Sequence, residues 1–351
     1  MFTNRRVRWV LYSLLPLAFL LIPFTTSVNL STHFRSLVLE PKKTGITTLE
    51  YFDEDRQRPL ITEVWYPVDS ATPSQAAAGV WIRCDEARDV PISAKQKKYP
   101  LIVMSHGSNG DRYNISWLAE ALAANGYIVA AMDHYGNTWN NKIMECYMQP
   151  WERPKDISFV LDRLLQDVRF SEKIDAHRIG FAGYSLGGAT GMWIAGGEMA
   201  SLNFDLVKQH SFDEAQVVPD EVIQSIDFKK AEGSYRDPRI HAVMVMAPAL
   251  GWAFSEDSLC KIDIPVLIIA PETDRIVPTE RNAKIFASKI KKASLKILQG
   301  DATHYVFLNR ATALGKRFMD RKYCEDPVSI SRDIIHKDVT KQTLRFFDKN
   351  L

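Results

Sequence analysis

The chain has 351 residues, of which 46% are apolar and 25% charged, values that exclude disordered, collagen-like and coiled-coil chains. Its 44 basic and 42 acidic residues leave a net charge of +2, so there is no electrostatic case for nucleic-acid binding. Four cysteines cannot staple a chain this long, so the core must come from packing.

The beginning is uneven. Arg5, Arg6 and Arg8 precede an apolar run at 9–24 (WVLYSLLPLAFLLIPF), and no charge follows until Arg35. A basic stretch ahead of an apolar one is an export signal. Two readings of residues 1–30 compete. One is a signal peptide cut near Ser27, with Thr25 and Ser27 as its small residues. The other is an uncleaved anchor, with membrane association through residues 9–30 and the rest of the chain outside the cytoplasm. Pro16 and Pro23 speak against a buried core helix. In an exported chain Cys84, Cys146, Cys260 and Cys324 allow two disulfides in three pairings, or remain buried thiols. No CxxC pair supports a metal or redox site.

Strand-forming segments at 44–53 and 60–66 flank a polar turn and predict a hairpin. Residues 70–98, rich in Ala, Pro, Ser and Lys, read as a surface loop. An alternation then begins. Strands are expected at 101–106, 127–133, 178–183, 239–248, 265–270 and 295–298. Helices are expected at 113–125, 155–170, 186–199, 279–291 and 331–349. Short apolar strands alternating with amphipathic helices predict an α/β chain: a mostly parallel sheet with helices on both faces and an antiparallel N-terminal hairpin. One domain covers 40–351. Residues 200–238 interrupt the rhythm as an insert and a candidate cap.

The strongest chemical signal is Gly183-Tyr184-Ser185-Leu186-Gly187, a G-x-S-x-G sequence between a strand and a helix. There a serine sits on a strained turn that projects its hydroxyl, and small neighbours let the turn close. Ser185 is therefore the candidate nucleophile. A serine needs a base held by a third group. Asp274, in the loop after strand 265–270, is the candidate acid, with Glu272 as runner-up. His304, after the last strand, is the candidate base. His106 and His134 follow strands but precede the serine, so they read as loop-shaping residues. His33, His177, His210, His241 and His336 read as packing or surface residues. The developing oxyanion needs two donors: the N–H of Leu186, next to the nucleophile, and one from Ser105-His106-Gly107-Ser108-Asn109-Gly110. Ser108 is the choice there, with Asn109 as alternative. Trp139, Trp151 and Trp252 are candidates to line an apolar acyl pocket, or plain packing residues.

SHGSNG, GYSLGG, PETDRIVP and ATHYVF, in this order, resemble an α/β-hydrolase. The closer resemblance, over 44–351, is to the bacterial branch related to platelet-activating factor acetylhydrolases and dienelactone-hydrolase-like proteins. RDPRIHAVMVMAPALGWAFSEDSL and the IIHKDV helix add to it. Two departures stand out. Dienelactone hydrolases proper use a cysteine where this chain has Ser185. The animal acetylhydrolases take their acid from the loop after the preceding strand, which here reads Ala247-Pro248-Ala249-Leu250-Gly251 and holds none.

The resemblance implies a serine carboxylic-ester hydrolase acting on a small-molecule or lipid ester, without cofactor or metal. A peptidase or acyltransferase with the same residues is the rival enzyme class. A silent binding protein on the same fold is the non-enzyme alternative. The sequence says nothing of oligomeric state.

Overall fold

The computed structural model describes residues 43–69, 72–201 and 218–351. Residues 1–30, expected to direct export, His33, His210 and the middle of the 200–238 insert lie outside these.

A nine-stranded sheet organises the chain, in the order β3-β1-β2-β5-β4-β6-β7-β8-β9. β1 (Thr44–Asp53) and β2 (Arg58–Tyr66) form the expected antiparallel hairpin, and β2 joins β5 (Ile128–Met132) antiparallel. From β5 onward every pairing is parallel: β4 (Tyr99–Ser105), β6 (Ile174–Tyr184), β7 (Ala242–Met246), β8 (Val266–Pro271) and β9 (Ala293–Leu298). The mixed sheet matches the α/β class read from the sequence. The loop expected at 70–98 contains one further strand, β3 (Glu86–Arg88), paired with β1. Three residues, two of them charged, carry no apolar period that would announce a strand.

Among the described residues five longer helices cover the sheet: α1 (Ser116–Ala124), α2 (Glu152–Gln166), α3 (Leu186–Ile194), α4 (Ala283–Lys289) and α5 (Arg332–Asn350). α2 starts three residues earlier than expected, with Pro154 in its first turn, where a missing N–H costs nothing. α3 stops at Ile194, five residues short of the expectation, because Gly196 adopts φ +110°. The helix expected at 279–291 is split. A 3-10 turn at Thr279–Arg281 precedes α4, and Asn282 between them has φ −133° and ψ −87°. Its side chain is committed elsewhere, accepting the Gly251 N–H at 2.8 Å and donating to the Pro278 carbonyl at 2.9 Å. Those local bonds compete with the helix ladder. Ser331 caps α5 by accepting the Ile334 N–H.

Alternate strand residues feed two cores. Val103, Phe181, Val245 and Ile268 pack with Ile157, Val160 and Leu164 of α2 and with Met192 and Trp193 of α3. Ile102, Met104, Ala182, Met244 and Ile269 pack with Leu118 and Leu122 of α1 and with Val339 and Phe347 of α5. Each such fully buried aliphatic side chain contributes roughly 1.5–3 kcal/mol. All four cysteines are free thiols, so none of the three disulfide pairings forms. Among the described residues no helix is long and apolar enough to cross a membrane.

Candidate active site

The parallel strands all end on one side of the sheet, and four of their C-terminal loops converge there. β6 ends at Tyr184, and α3 begins directly after Ser185. Ser185 holds φ +55° and ψ −117°, a conformation that costs on the order of 1–3 kcal/mol in a non-glycine residue. Its surroundings over-determine it. The Ser185 N–H donates to the Met246 carbonyl at 2.9 Å, and its carbonyl accepts from Gly188 at 2.8 Å and Ala249 at 3.0 Å. The flanking glycines allow the turn to close. A Cβ on Gly183 would stand 2.2 Å from the Gly187 carbonyl oxygen, and one on Gly187 would stand 2.0 Å from that of Ser105.

The loop after β8 carries Asp274, which is buried, whereas Glu272 is exposed. Asp274 Oδ1 accepts the N–H groups of Ile276 and Val277 at 2.9 and 2.8 Å, which leaves Oδ2 aimed at His304. His304 Nδ1 lies 2.6 Å from that Oδ2, and its Nε2 lies 3.0 Å from Ser185 Oγ. The Tyr184 hydroxyl donates to the His304 carbonyl at 3.1 Å and ties the histidine loop to the serine turn. Three residues chosen from separate loops thus form one hydrogen-bonded chain, and Glu272 takes no part. A hydroxyl against an imidazole whose other nitrogen meets a carboxylate is an arrangement that can deliver a nucleophile.

The loop after β4 lies against the serine: a Cβ on Gly107 would be 3.3 Å from Ser185 Cβ. The Asn109 N–H is occupied, donating to Asn137 Oδ1 at 3.1 Å. The backbone N–H groups of Ser108 and Leu186 have no acceptor among the described residues. The Ser108 side chain donates to the Tyr147 hydroxyl at 3.0 Å. Of the two loop donors weighed from the sequence, Ser108 is the one left open.

The three tryptophans part ways. Trp151 is in the core at 1% exposure, with Phe228 of the insert edge-on to its ring. Trp252 packs partly buried against the same core. Only Trp139 is open, at 69% exposure, and it is pinned beside the loop after β4. Its backbone N–H donates to the Gly110 carbonyl, and its indole N–H donates to Asp111 Oδ2 at 2.9 Å.

Residues that sequence reading passed over stand behind this loop. Arg153 and Asp156, one turn apart on α2, are both buried. Asp156 pairs with Arg58 at 2.8 Å and with His134 at 2.9 Å. Burial alone would raise the Asp156 carboxyl, but the His134 hydrogen bond and the Arg58 charge outweigh it and hold the group well below the usual range. Burial and the nearby Arg153 charge push His134 down to about 4, and burial pushes His106 well below its ordinary value. Both imidazoles are therefore neutral near pH 7. The helical period of α2 places Arg153 and Asp156 on its inner face, which was the one available signal. Among the described residues no group of three or more His, Cys, Asp or Glu side chains is arranged to hold a metal.

The fold is an α/β-hydrolase fold, with a strand–serine–helix turn at its centre. Residues 75–149 match the family described as platelet-activating factor acetylhydrolase, isoform II. The chain is 24% identical over 216 residues to Cutinase est1 of Thermobifida alba, covering 61% of this chain and 53% of that protein. It is 33% identical over 92 residues to Cutinase est2 of the same organism, covering 26% of this chain and 28% of that protein. The matches thus span about half or less of the length of these curated relatives. A ferulic acid esterase from Streptomyces cinnamoneus superposes with a TM-score of 0.62 at 20% identity, covering 88% of this chain and 90% of that one. The last of these likenesses supports the α/β-hydrolase fold.

Proposed function

We propose that the chain hydrolyses carboxylic esters through an acyl-enzyme at Ser185. The observation that carries this reading is the hydrogen-bonded chain Asp274–His304–Ser185 on a strained turn between β6 and α3. His304 Nε2 takes the hydroxyl proton as Ser185 Oγ attacks the ester carbonyl. Asp274 fixes the ring with Nδ1–H toward itself and stabilises the imidazolium that forms. The N–H groups of Leu186 and Ser108 receive the negative charge on the carbonyl oxygen. His304 returns the proton to the leaving alcohol, then activates the water that releases the acid.

The substrate we propose is an apolar or short-chain ester, lipid esters included. The cutinase and acetylhydrolase likenesses support that class, and so does the exposed indole of Trp139 beside the oxyanion loop. We also propose that residues 1–30 direct export, with the catalytic domain outside the cytoplasm. Ser185→Ala should abolish hydrolysis of p-nitrophenyl acetate and butyrate while leaving the circular dichroism spectrum unchanged. Wild-type turnover in that variant would overturn the assignment.

A further inference from the structure

A second Asp–His–Ser chain lies directly beneath the oxyanion loop. Asp156 Oδ2 meets His134 Nδ1 at 2.9 Å, and His134 Nε2 meets Ser105 Oγ at 2.8 Å. The connectivity repeats that of Asp274, His304 and Ser185. Yet all three side chains are wholly inaccessible, and Ser105 is the last residue of a central strand. No ester can reach it. The set is a brace: it holds the base of the loop, and the His134 N–H donates to His106 Nε2 at 3.2 Å.

Arg153 completes the brace from the other side. Its Nη1 donates to the His106 carbonyl at 2.6 Å, and its Nη2 donates to the Gly107 carbonyl at 3.2 Å and to Asn137 Oδ1 at 3.0 Å. Asn137 Oδ1 also accepts the Asn109 N–H, so one guanidinium reaches every backbone link from 106 to 109 directly or through one side chain. Among the described residues Arg153 makes no ion pair, and its hydrogen bonds go only to neutral acceptors. Burying a cation in that way is costly, and apolar packing of similar volume would serve stability at least as well. The loop is where the cost yields something. A trans peptide points its C=O and N–H in opposite directions. The Gly107 carbonyl also meets His106 Nδ1 at 2.7 Å and the Gly110 N–H at 3.2 Å, and with it turned to these donors and the guanidinium, the Ser108 N–H of the same peptide must face away and is left without an internal acceptor.

We propose that Arg153 is a positioning residue for ester hydrolysis: by gripping the carbonyls of His106 and Gly107, it turns the Ser108 N–H to the face where the oxyanion forms. This rests on the serine-esterase reading above. Only a planar fork can span two successive carbonyls and an amide, so lysine is a poor replacement. Burial also draws the Arg153 pKa below its ordinary value, with the nearby Asp156 carboxylate opposing that effect.

The test is Arg153→Gln in the full chain, assayed on p-nitrophenyl butyrate with active sites titrated. Loss of one oxyanion donor lowers turnover about 100-fold or more. The expected result is a fall of that size in kcat, with KM within about threefold of wild type. Affinity for a trifluoromethyl ketone transition-state mimic should weaken in step with kcat/KM. A merely structural role would lower the thermal midpoint and the active fraction, leaving kcat per titrated site and mimic affinity unchanged. That outcome overturns the proposal. If Arg153→Gln does not fold, Asn137→Ala replaces it, since it removes the acceptor that Arg153 shares with the Asn109 N–H. About a tenfold loss of kcat at constant KM is then expected, and unchanged kcat overturns the proposal. Ser185→Ala, run alongside, separates the two levels. An inactive Ser185→Ala with a fully active Arg153→Gln overturns only the role of Arg153. An active Ser185→Ala overturns the esterase reading and the Arg153 role together.

Discussion

Histidine serves several purposes in this molecule, and its neighbours decide which. His304 stands between a carboxylate and a hydroxyl, while His134 does the same in a sealed layer. The difference is exposure, not connectivity: Ser185 keeps 8% of its surface open and Ser105 none. His336 is a third case. Its Nε2–H donates to the Val306 carbonyl at 2.9 Å, and its ring stacks on Trp117 at 3.8 Å between centroids. Burial pushes its pKa down to about 3. The folded protein therefore binds fewer protons at this site than the unfolded chain between about pH 3 and pH 6.5. Stability from this site is present above pH 6.5 and is lost as pH falls toward 3. His336→Gln keeps a donor for Val306 and removes the titration. Its thermal midpoint should fall less than that of wild type between pH 7 and pH 4, with His106 and His134 still contributing the remainder. Parallel curves for the two proteins would contradict this.

At the scale of elements, the strand–turn–helix around Ser185 is the most constrained part of the fold. Gly187 lies against the end of β4, with no space for a methyl group. Gly187→Ala should destabilise the protein by more than about 2 kcal/mol, as forced backbone clashes do. It should also lower kcat by at least about 100-fold, since both proposed oxyanion donors, Leu186 and Ser108, border the displaced contact. Denaturant midpoints and turnover on the same preparation would check both, and a stable, active variant would refute the packing argument. This turn was legible from its glycines, because close approach leaves a compositional mark. The α2 contribution was not. Arg153 and Asp156 share the helical period of Ile157, Val160 and Leu164, but nothing in the sequence says what they meet on that inner face. Only the docking of α2 beneath the β4 loop supplies their partners. For the same reason Trp139, Trp151 and Trp252 looked equivalent along the chain and turned out open, sealed and partly sealed.

Over the whole molecule, Pro41–Leu351 forms one compact unit carrying all of these sites. The basic and apolar pattern of residues 1–24 is a separate signal, read from composition alone. If residues 1–30 direct export, fractionation with N-terminal sequencing should find the chain outside the cytoplasm. It would begin just after Ser27 if the segment is cleaved, or be membrane-bound and intact if it is an anchor. Recovery from the cytosol with Met1 in place would refute export. The alternation of short apolar strands and amphipathic helices was by itself enough to determine an α/β sheet. The order of the GYSLGG, PETDRIVP and ATHYVF segments was enough to single out Ser185 and His304 as candidates and to put the candidate acid in the loop after β8, because local periodicity and close-packed turns are written in neighbouring residues. What only the tertiary structure decided was the choice between equivalent candidates: Asp274 over Glu272 at His304, Ser108 over Asn109 as the open donor, four free thiols over two disulfides, and a buried arginine behind the oxyanion loop. Each of those turns on burial and on partners distant in the chain, and neither is present in any stretch of sequence read alone.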